Sequence, residues 1–205
     1  MSSNNSVPCL ILAGGQSRRM GGGAKFLEKI GNKTLLDHII GRIEPQVGSI
    51  LLNSNTALEQ DTLPVCADVV TGHLGPLAGI LTGLEYFEKE GCTATHMLSL
   101  PSDAPFIPRN LVEKLQNGLT DSATSIVMAH SVGRVHPVVT LWPFAVAKAL
   151  RDALVGEDLR KILVFAERYD LNYVHWTDED EDPFYNVNRP EDLEYARSIA
   201  AKEAL

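Results

Sequence analysis

The chain has 205 residues, 44% of them hydrophobic, which is typical of one globular domain with a sizeable core. Its net charge of −8 disfavours broad binding to nucleic acid or to an anionic membrane, and no apolar run approaches the roughly 18 residues of a membrane span. Three scattered cysteines without a Cys-x-x-Cys pair indicate reduced thiols, so we expect a cytoplasmic protein. We expect residues 1–205 to form a single domain. The polar stretch 1–6 lacks the apolar core of a signal peptide, so it should be a disordered lead-in.

Short apolar runs recur along the chain, and each of them predicts a buried strand. Strands are predicted at 9–12, 49–53, 65–66, 96–100, 125–129, 138–142 and 171–175. Helical patterns lie between them. This alternation predicts an α/β fold, a Rossmann-like three-layer sandwich with a mostly parallel sheet covered by helices on both faces.

The starts of the predicted helices carry recognisable signals. Thr34, with Asp37 three residues later, predicts a capping box at the start of the first helix. A second helix is predicted from about 76 to 89 because its apolar residues recur with helical spacing. Prolines are favoured in the first turn of a helix, and they predict three more starts, at Pro108, Pro143 and Pro190.

A glycine-rich basic loop directly follows the first predicted strand. Between Leu12 and Lys25 it contains five glycines and two arginines. Glycine lets the backbone approach a ligand closely, consecutive N–H groups can form an anion-binding nest, and guanidinium groups suit phosphate oxygens. The loop has neither the Gly-Lys-Ser/Thr of a Walker A motif nor a G-x-G-x-x-G dinucleotide fingerprint. Its place after a strand of an open α/β sheet favours polyphosphate binding over a plain surface turn.

This loop, Leu-Ala-Gly-Gly-Gln-Ser-Arg-Arg-Met-Gly-Gly-Gly-Ala-Lys at 12–25, resembles the signature of nucleotidyltransferases that act on sugar phosphates and on molybdopterin. The doubled glycine and the Arg-Met-Gly-Gly at 19–22 are most similar to the molybdenum cofactor guanylyltransferase (MobA) family. Later segments resemble that family's motifs in the same order: Gly75-Pro-Leu-Ala-Gly79, Leu100-Pro-Ser-Asp-Ala-Pro-Phe-Ile107, Gly133-Arg-Val-His-Pro137 and Tyr185-Asn-Val-Asn-Arg-Pro190. The resemblance implies the fold of the nucleotide-diphospho-sugar transferases.

The resemblance also implies an activity: transfer of GMP from GTP to the terminal phosphate of molybdopterin, with release of pyrophosphate and Mg²⁺ as cofactor. It implies further contacts with cofactor-synthesis proteins and molybdoenzymes, and we expect a monomer that binds neither nucleic acid nor membrane. Asp103 would be the metal ligand. Nucleotide binding is implied for Leu12, Ala13, Gly14, Gly15, Gly22, Lys25, Asn53, Asp68 and Asp103, and catalysis for Arg19, Lys25, Asp103, Asn186 and Asn188.

Two of these motifs can also be interpreted structurally. Asp103 follows a predicted strand by one short turn, where a carboxylate beside the phosphate loop suits Mg²⁺. The alternative is a turn or helix-capping aspartate. Asn186 and Asn188 alternate, so in an extended segment both amides point the same way. The alternative for Asn188 is capping of the helix that Pro190 begins.

Four further residues carry the same ambiguity. Asn53 and Asp68 each end a predicted strand, so parallel strands would bring them to the edge that carries the glycine-rich loop. The alternative role for both is turn formation. Gly79 and Gly83 lie one turn apart in a predicted helix, where each costs about 1 kcal/mol relative to alanine. They indicate either close packing on the sheet or close approach of a substrate.

Some features leave the function open. Ala24 stands where the family usually has aspartate, which fits a tolerated variation, a catalytically impaired nucleotide-binding relative, or a changed acceptor. Spacing alone does not distinguish guanine from cytosine, so the alternative activity is that of a cytidylyltransferase acting on molybdopterin or on a sugar or polyol phosphate. We expect Arg134 and His136, ahead of a predicted strand, to help line the pterin cleft. The acidic run 178–182 predicts a solvated loop.

Overall fold

A computed structural model describes residues 6–14, 25–58, 62–72, 75–177 and 181–203. Most of the glycine-rich loop lies outside these residues, as do positions 1–5 of the predicted lead-in. The predictions for Gly15, Arg19, Gly22 and Ala24 therefore stay predictions, as does the extent of the domain over 1–205.

One seven-stranded sheet forms the centre of the molecule, in the order β5-β4-β1-β6-β8-β7-β9, and β2 pairs with β3 in a separate hairpin. All strands of the large sheet run parallel except β8, which is antiparallel to β6 and β7. The prediction of a mostly parallel sheet is confirmed. The strands in the described part of the chain are β1 Cys9–Leu12, β2 Lys29–Ile30, β3 Lys33–Thr34, β4 Ile50–Asn53, β5 Val65–Cys66, β6 His96–Pro101, β7 Ser125–Ser131, β8 Arg134–Pro143 and β9 Asp170–Trp176.

Helices cover both faces of this sheet. Side chains of β1 alternate between the faces: Cys9 and Ile11 pack with α1 and α3, and Leu10 packs with α2, α4 and α5. The three-layer arrangement is therefore confirmed, while α6 packs on the hairpin through a third apolar cluster. The helices are α1 Leu35–Ile43, α2 Pro76–Lys89, α3 Leu111–Gln116, α4 Ala147–Gly156, α5 Ile162–Ala166 and α6 Pro190–Glu203.

The predicted capping box at the start of α1 is confirmed. Thr34 Oγ1 accepts a hydrogen bond from the backbone N–H of Asp37 at 3.0 Å, and Asp37 Oδ2 accepts from the N–H of Thr34 at 2.8 Å. These hydrogen bonds hold the pKa of the Asp37 carboxyl below its usual value. Two otherwise unsatisfied donors of the first turn are satisfied in this way.

Two of the predicted helix starts were wrong by about one turn. Pro190 begins α6, but Pro143 is the last residue of β8 and is followed by a short 3-10 turn before α4. Pro108 precedes α3, whose N-cap residue is Asn110. Proline fixes only its own φ, so it favours a helix start without deciding whether the next residues continue one.

The topology brings the carboxyl ends of three strands to one edge. Leu12 at the end of β1 is paired in register with Asn53 at the end of β4 and with Pro101 at the end of β6. Because these strands are parallel, the segments that follow them begin side by side. No helix in the described part of the chain is both long enough and apolar enough to cross a membrane.

Candidate functional site

Three residues that are far apart in sequence meet on one ammonium group at this edge. Lys25 Nζ donates to Asp103 Oδ2 at 2.6 Å and to Asn188 Oδ1 at 2.5 Å. The side chains of Lys25 and Asp103 are only 15% and 22% exposed, so solvent screens this ion pair less than it would a pair on the surface. The structure thus brings together three of the residues for which catalysis was predicted.

The local fold explains how each of them is held. Lys25 begins a short 3-10 turn whose next residue, Phe26, is buried in the core, and this anchors the lysine backbone. Asp103 follows β6, and its carbonyl accepts the backbone N–H of Val187 at 2.9 Å. That bond joins the turn after β6 to the segment that carries Asn188.

One oxygen of Asp103 supports the predicted metal role. Oδ2 is occupied by Lys25, whereas Oδ1 is buried and has no hydrogen-bond partner among the described residues. A buried carboxylate oxygen without a partner is costly, and a cation would remove that cost. Mg²⁺ is commonly held by one or two carboxylates together with phosphate oxygens and water. The donor set at Asp103 therefore fits a metal ion that a polyphosphate also holds.

A site made of protein ligands alone is not present in the described residues, since no three His, Cys, Asp or Glu side chains lie close enough together to hold an ion. A metal at Asp103 would depend on ligands from a bound substrate. This is the arrangement expected where metal and nucleotide bind together.

The segment that precedes α6 positions the two asparagines. Asp192 accepts from the backbone N–H groups of Asn188 at 2.7 Å and of Arg189 at 2.9 Å, so its carboxylate caps the start of the helix. Burial acts to raise the pKa of Asp192, but these hydrogen bonds and that from Tyr185 hold it below its usual value. Helix capping was the alternative role for Asn188. Its amide oxygen instead accepts a hydrogen bond from Lys25.

Asn186 forms part of the wall of a polar cleft that adjoins the Lys25 site. The walls of this cleft are formed by Arg134, Tyr185, Asn186, Asn188, Arg189 and Asp192. Asn188 is common to the cleft and to the Lys25 contact, so the two form a continuous surface.

A second group of predicted residues lies at the ends of β4 and β5. Asn53 is buried and donates through Nδ2 to Asp68 Oδ1 at 2.9 Å and to the carbonyl of Cys66 at 3.2 Å. Asn55, which the sequence analysis missed, donates to the other carboxylate oxygen of Asp68 at 2.8 Å and accepts that residue's N–H. Asn55 is an exposed residue just after β4. The sequence analysis missed it because its contact with Asp68, 13 residues further along the chain, is visible only in the structure.

The two glycines of α2 are explained by packing on the sheet. A Cβ on Gly79 would lie 2.5 Å from Leu12 Cδ2 and closer still to Asn53 Oδ1. One on Gly83 would lie 2.7 Å from Met97 Sδ. Both glycines therefore let α2 approach β1, β4 and β6, and the packing interpretation holds for each.

The start of the glycine-rich loop is partly described. Ala13 donates its N–H to the carbonyl of Asn53 at 2.9 Å, which continues the pairing of β1 with β4. Gly14 is exposed, and a Cβ placed on it would have no neighbour within 4 Å. Among the described residues, Gly14 therefore has no side-chain neighbour at the edge where Lys25 and Asp103 meet.

Two expectations about the C-terminal half were wrong. His136 lies inside β8 rather than before a strand, because that strand begins at Arg134. Of the acidic run, residues 178–180 lie outside the described part of the chain, and Asp182 departs from the expected solvated loop: its side chain is 12% exposed and accepts from Ser131 Oγ at 2.6 Å and from Arg134 at 2.5 Å. Neither the burial of Asp182 nor its contact with Ser131 has a signal in the sequence, since the partners are about 50 residues away.

A family model described as a MobA-like NTP transferase domain matches residues 9–171. Proteins named molybdenum cofactor guanylyltransferase are similar over nearly the full length. That from Rhodopseudomonas palustris (strain HaA2) is 42% identical over 99% of this chain and 96% of its own, and that from Bradyrhizobium sp. (strain ORS 278) is 43% identical over 98% and 97%.

Among solved structures, molybdopterin-guanine dinucleotide biosynthesis protein A from Archaeoglobus fulgidus has the same fold. Its TM-score is 0.73 at 22% identity, with 96% of this chain and all of the other covered. At this level of identity the structural similarity supports the fold alone. Membership of a family rests on the matched family model and on the relatives above 40% identity. The chain therefore belongs to the family of MobA-like nucleotidyltransferases.

Proposed function

We propose that this chain is a molybdenum cofactor guanylyltransferase, which transfers GMP from GTP to the terminal phosphate of molybdopterin and releases pyrophosphate. The observation that carries the proposal is the meeting of Lys25, Asp103 and Asn188 at the sheet edge where β1 opens into the glycine-rich loop. The names of the relatives above 40% identity support guanine as the base and the molybdenum cofactor as the acceptor.

The reaction places few demands on acid–base chemistry. The attacking oxygen of a phosphate monoester is already anionic at pH 7, so no strong general base is needed. It forms a bond to the α-phosphorus of GTP while the bond from that phosphorus to the bridging oxygen breaks, and the electron pair leaves with pyrophosphate. The barrier lies in bringing two polyanions together, which is a matter of positioning and of charge stabilisation.

The residues of this chain suit that task. The Lys25 ammonium, fixed by Asp103 and Asn188, would neutralise phosphate oxygens, and we assign a second positive charge to Arg19. Backbone N–H groups of the loop from Gly14 to Gly22 would hold the phosphates. Asn186 and Asn188 can orient phosphate oxygens without adding charge.

Asp103 would hold the divalent ion, which we take to be Mg²⁺. Its buried Oδ1 is the oxygen without a partner among the described residues, and it supports this assignment. When bound there, the ion would supply neutralising charge to the phosphates of donor and acceptor. Asn53 and Asp68 at the neighbouring strand ends would bind the nucleoside, with Leu12 and Ala13 forming the adjoining backbone.

The proposal extends to the setting of the enzyme. We place it in the cytoplasm as a monomer that exchanges its substrate and product with cofactor-synthesis proteins and molybdoenzymes. The reduced state of the thiols fits this setting: all three cysteines are free, and burial raises the pKa of Cys9 well above its usual value.

The test is a turnover assay with purified protein, molybdopterin, Mg²⁺ and either GTP or CTP. We expect pyrophosphate release together with a guanine dinucleotide product, faster with GTP than with CTP. Activity with CTP but not with GTP would replace this proposal by a cytidylyltransferase. Binding of nucleotide without any pyrophosphate release would indicate a non-catalytic relative, which is one of the alternatives that Ala24 raised.

A further inference from the structure

Residues 134–137, two of which were expected to help line the pterin cleft, form part of the wall of a second cavity. This cavity has a volume of about 170 Å³. Its walls are largely apolar and include Pro101, Val138, Val139 and Phe184, with Arg134, His136 and Asn186 as polar members.

The cavity adjoins the Lys25 site through the polar cleft described above. Arg134 and Asn186 line both the apolar cavity and the polar cleft, and Asn188 connects the cleft to Lys25. One ligand could therefore occupy the cavity with one end and reach the phosphate-binding edge with the other.

We propose that this cavity binds the pterin head of the acceptor, while Arg134 and the cleft beside it bind the acceptor's phosphate. This inference rests on the proposed function and divides the acceptor between two sets of residues. The ring would lie against His136, which the fully buried Phe184 supports from behind at 4.8 Å between ring centroids, and the prolines and valines would cover its other surfaces.

The hydrogen bonds around His136 determine which tautomer its ring adopts. Asp182, whose carboxylate can only accept, receives the hydroxyl proton of Ser131 at 2.6 Å. The oxygen of Ser131 must then accept from His136 Nε2–H, at 2.7 Å. Burial lowers the pKa of His136, so the ring is neutral at pH 7 and its Nδ1 is an acceptor. A ring N–H of the acceptor would be the matching donor.

The network is buried and built across three elements. Ser131 is 1% exposed and His136 is 8% exposed, and Asp182 also accepts the backbone N–H of Phe184 at 3.0 Å. It thus fixes the histidine and the phenylalanine that face each other. Such fixing of a polar group by further hydrogen bonds is expected where a site must select its ligand.

The charge balance of the cleft suits a phosphate. Arg134 is the exposed member of its ion pair, at 55%, and Arg189 adds a second guanidinium to the cleft. The acidic residue of the cleft, Asp192, already accepts from two backbone N–H groups and from Tyr185. Its carboxylate oxygens are therefore occupied. Arg189 and the exposed part of Arg134, whose other contact is with Asp182, can attract an anion.

Two variants separate the halves of this site. Arg134→Met should raise the KM for molybdopterin about tenfold or more, because it removes a charge-assisted contact to phosphate. In a titration of the protein with fluorescent 6-hydroxymethylpterin, which has no phosphate, it should change the dissociation constant by a smaller factor than it changes the KM for molybdopterin, since Arg134 also lines the apolar cavity and pairs with Asp182. His136→Asn should weaken that pterin titration. Both variants should bind GTP with a dissociation constant within twofold of the wild-type value. Retained GTP binding also shows that the variants are folded.

Arg160→Met is the matched control, because Arg160 pairs with Asp158 at the surface and lines neither cavity. It should change none of these quantities. A KM for molybdopterin that Arg134→Met leaves within twofold of wild type would overturn the proposal, and so would pterin binding that His136→Asn leaves unchanged in a variant that still binds GTP. If the wild-type protein makes no guanine dinucleotide, the proposed function fails. The pterin titration then decides the cavity by itself, with saturable, His136-dependent binding supporting it and no binding overturning it.

Discussion

Asp103 is the residue on which the chemistry depends most, because one of its oxygens holds Lys25 and the other is left for a cation. Asp103→Asn keeps the shape and removes the charge. We expect single-turnover guanylyl transfer to fall about 10²–10³-fold, the usual cost of removing one preorganised electrostatic contact. Asp121→Asn, at an exposed loop position, is the control and should keep the wild-type rate. A rate for Asp103→Asn within a few-fold of wild type would remove the carboxylate from the mechanism.

At the level of single elements, α1 depends on its capping box. Thr34→Ala removes the acceptor for the N–H of Asp37, so we expect a loss of about 1 kcal/mol in the free energy of unfolding, measured by urea denaturation. Thr34→Ser keeps the hydroxyl and should recover most of that loss. Equal stabilities for the alanine and serine variants would show that the hydroxyl contributes nothing.

The same element carries a pH dependence. The pKa of Asp37 is lowered in the folded protein, so its carboxylate stabilises the fold above the unfolded value, near 3.8, and this contribution is lost as the pH falls through the folded pKa. Asp37→Asn should therefore be less stable than wild type at pH 7, by about 0.5–1 kcal/mol. The difference should narrow as the pH is lowered below 3.8. A difference that stays constant with pH would contradict the role given to the ionised carboxylate.

Helix α2 offers a test of close packing. Gly79→Ala places a Cβ against Leu12 and Asn53, so we expect a net loss of about 1–3 kcal/mol even though alanine is the better helix former. Gly41→Ala in α1 places a Cβ that has no neighbour within 4 Å among the described residues, so it should instead stabilise the protein by about 0.5–1 kcal/mol. Chemical denaturation of the two variants measures both effects. Stabilisation by Gly79→Ala would mean that α2 can move away from the sheet at little cost.

At the scale of the whole molecule, the sequence predicted the three-layer fold and the edge of the sheet at which the site was expected. Apolar runs located every strand of the large sheet, because buried strands must be apolar. They could not reveal that β8 is antiparallel, since hydrophobicity has no direction. The two-residue strands of the hairpin and the short helix α5 were missed because periodicity needs more residues than they have.

The site was predictable only where a motif marked it. Lys25, Asp103 and Asn188 stand in motifs, and the fold joins them. The contact between Ser131 and Asp182 depends instead on how the segment after β9 lies beside the end of β7. Pairings of that kind follow from the three-dimensional arrangement, and no spacing in the chain encodes them.

The central claim is that a nucleoside triphosphate binds at the edge formed by β1 and β6 with its metal ion on Asp103. The most direct measurement is a crystal structure with a non-hydrolysable GTP analogue and Mn²⁺, in which anomalous scattering locates the ion. We expect the ion within coordination distance of Asp103 Oδ1, with the phosphates against Lys25. Phosphates bound away from Lys25, or an ion that does not contact Asp103, would contradict the claim.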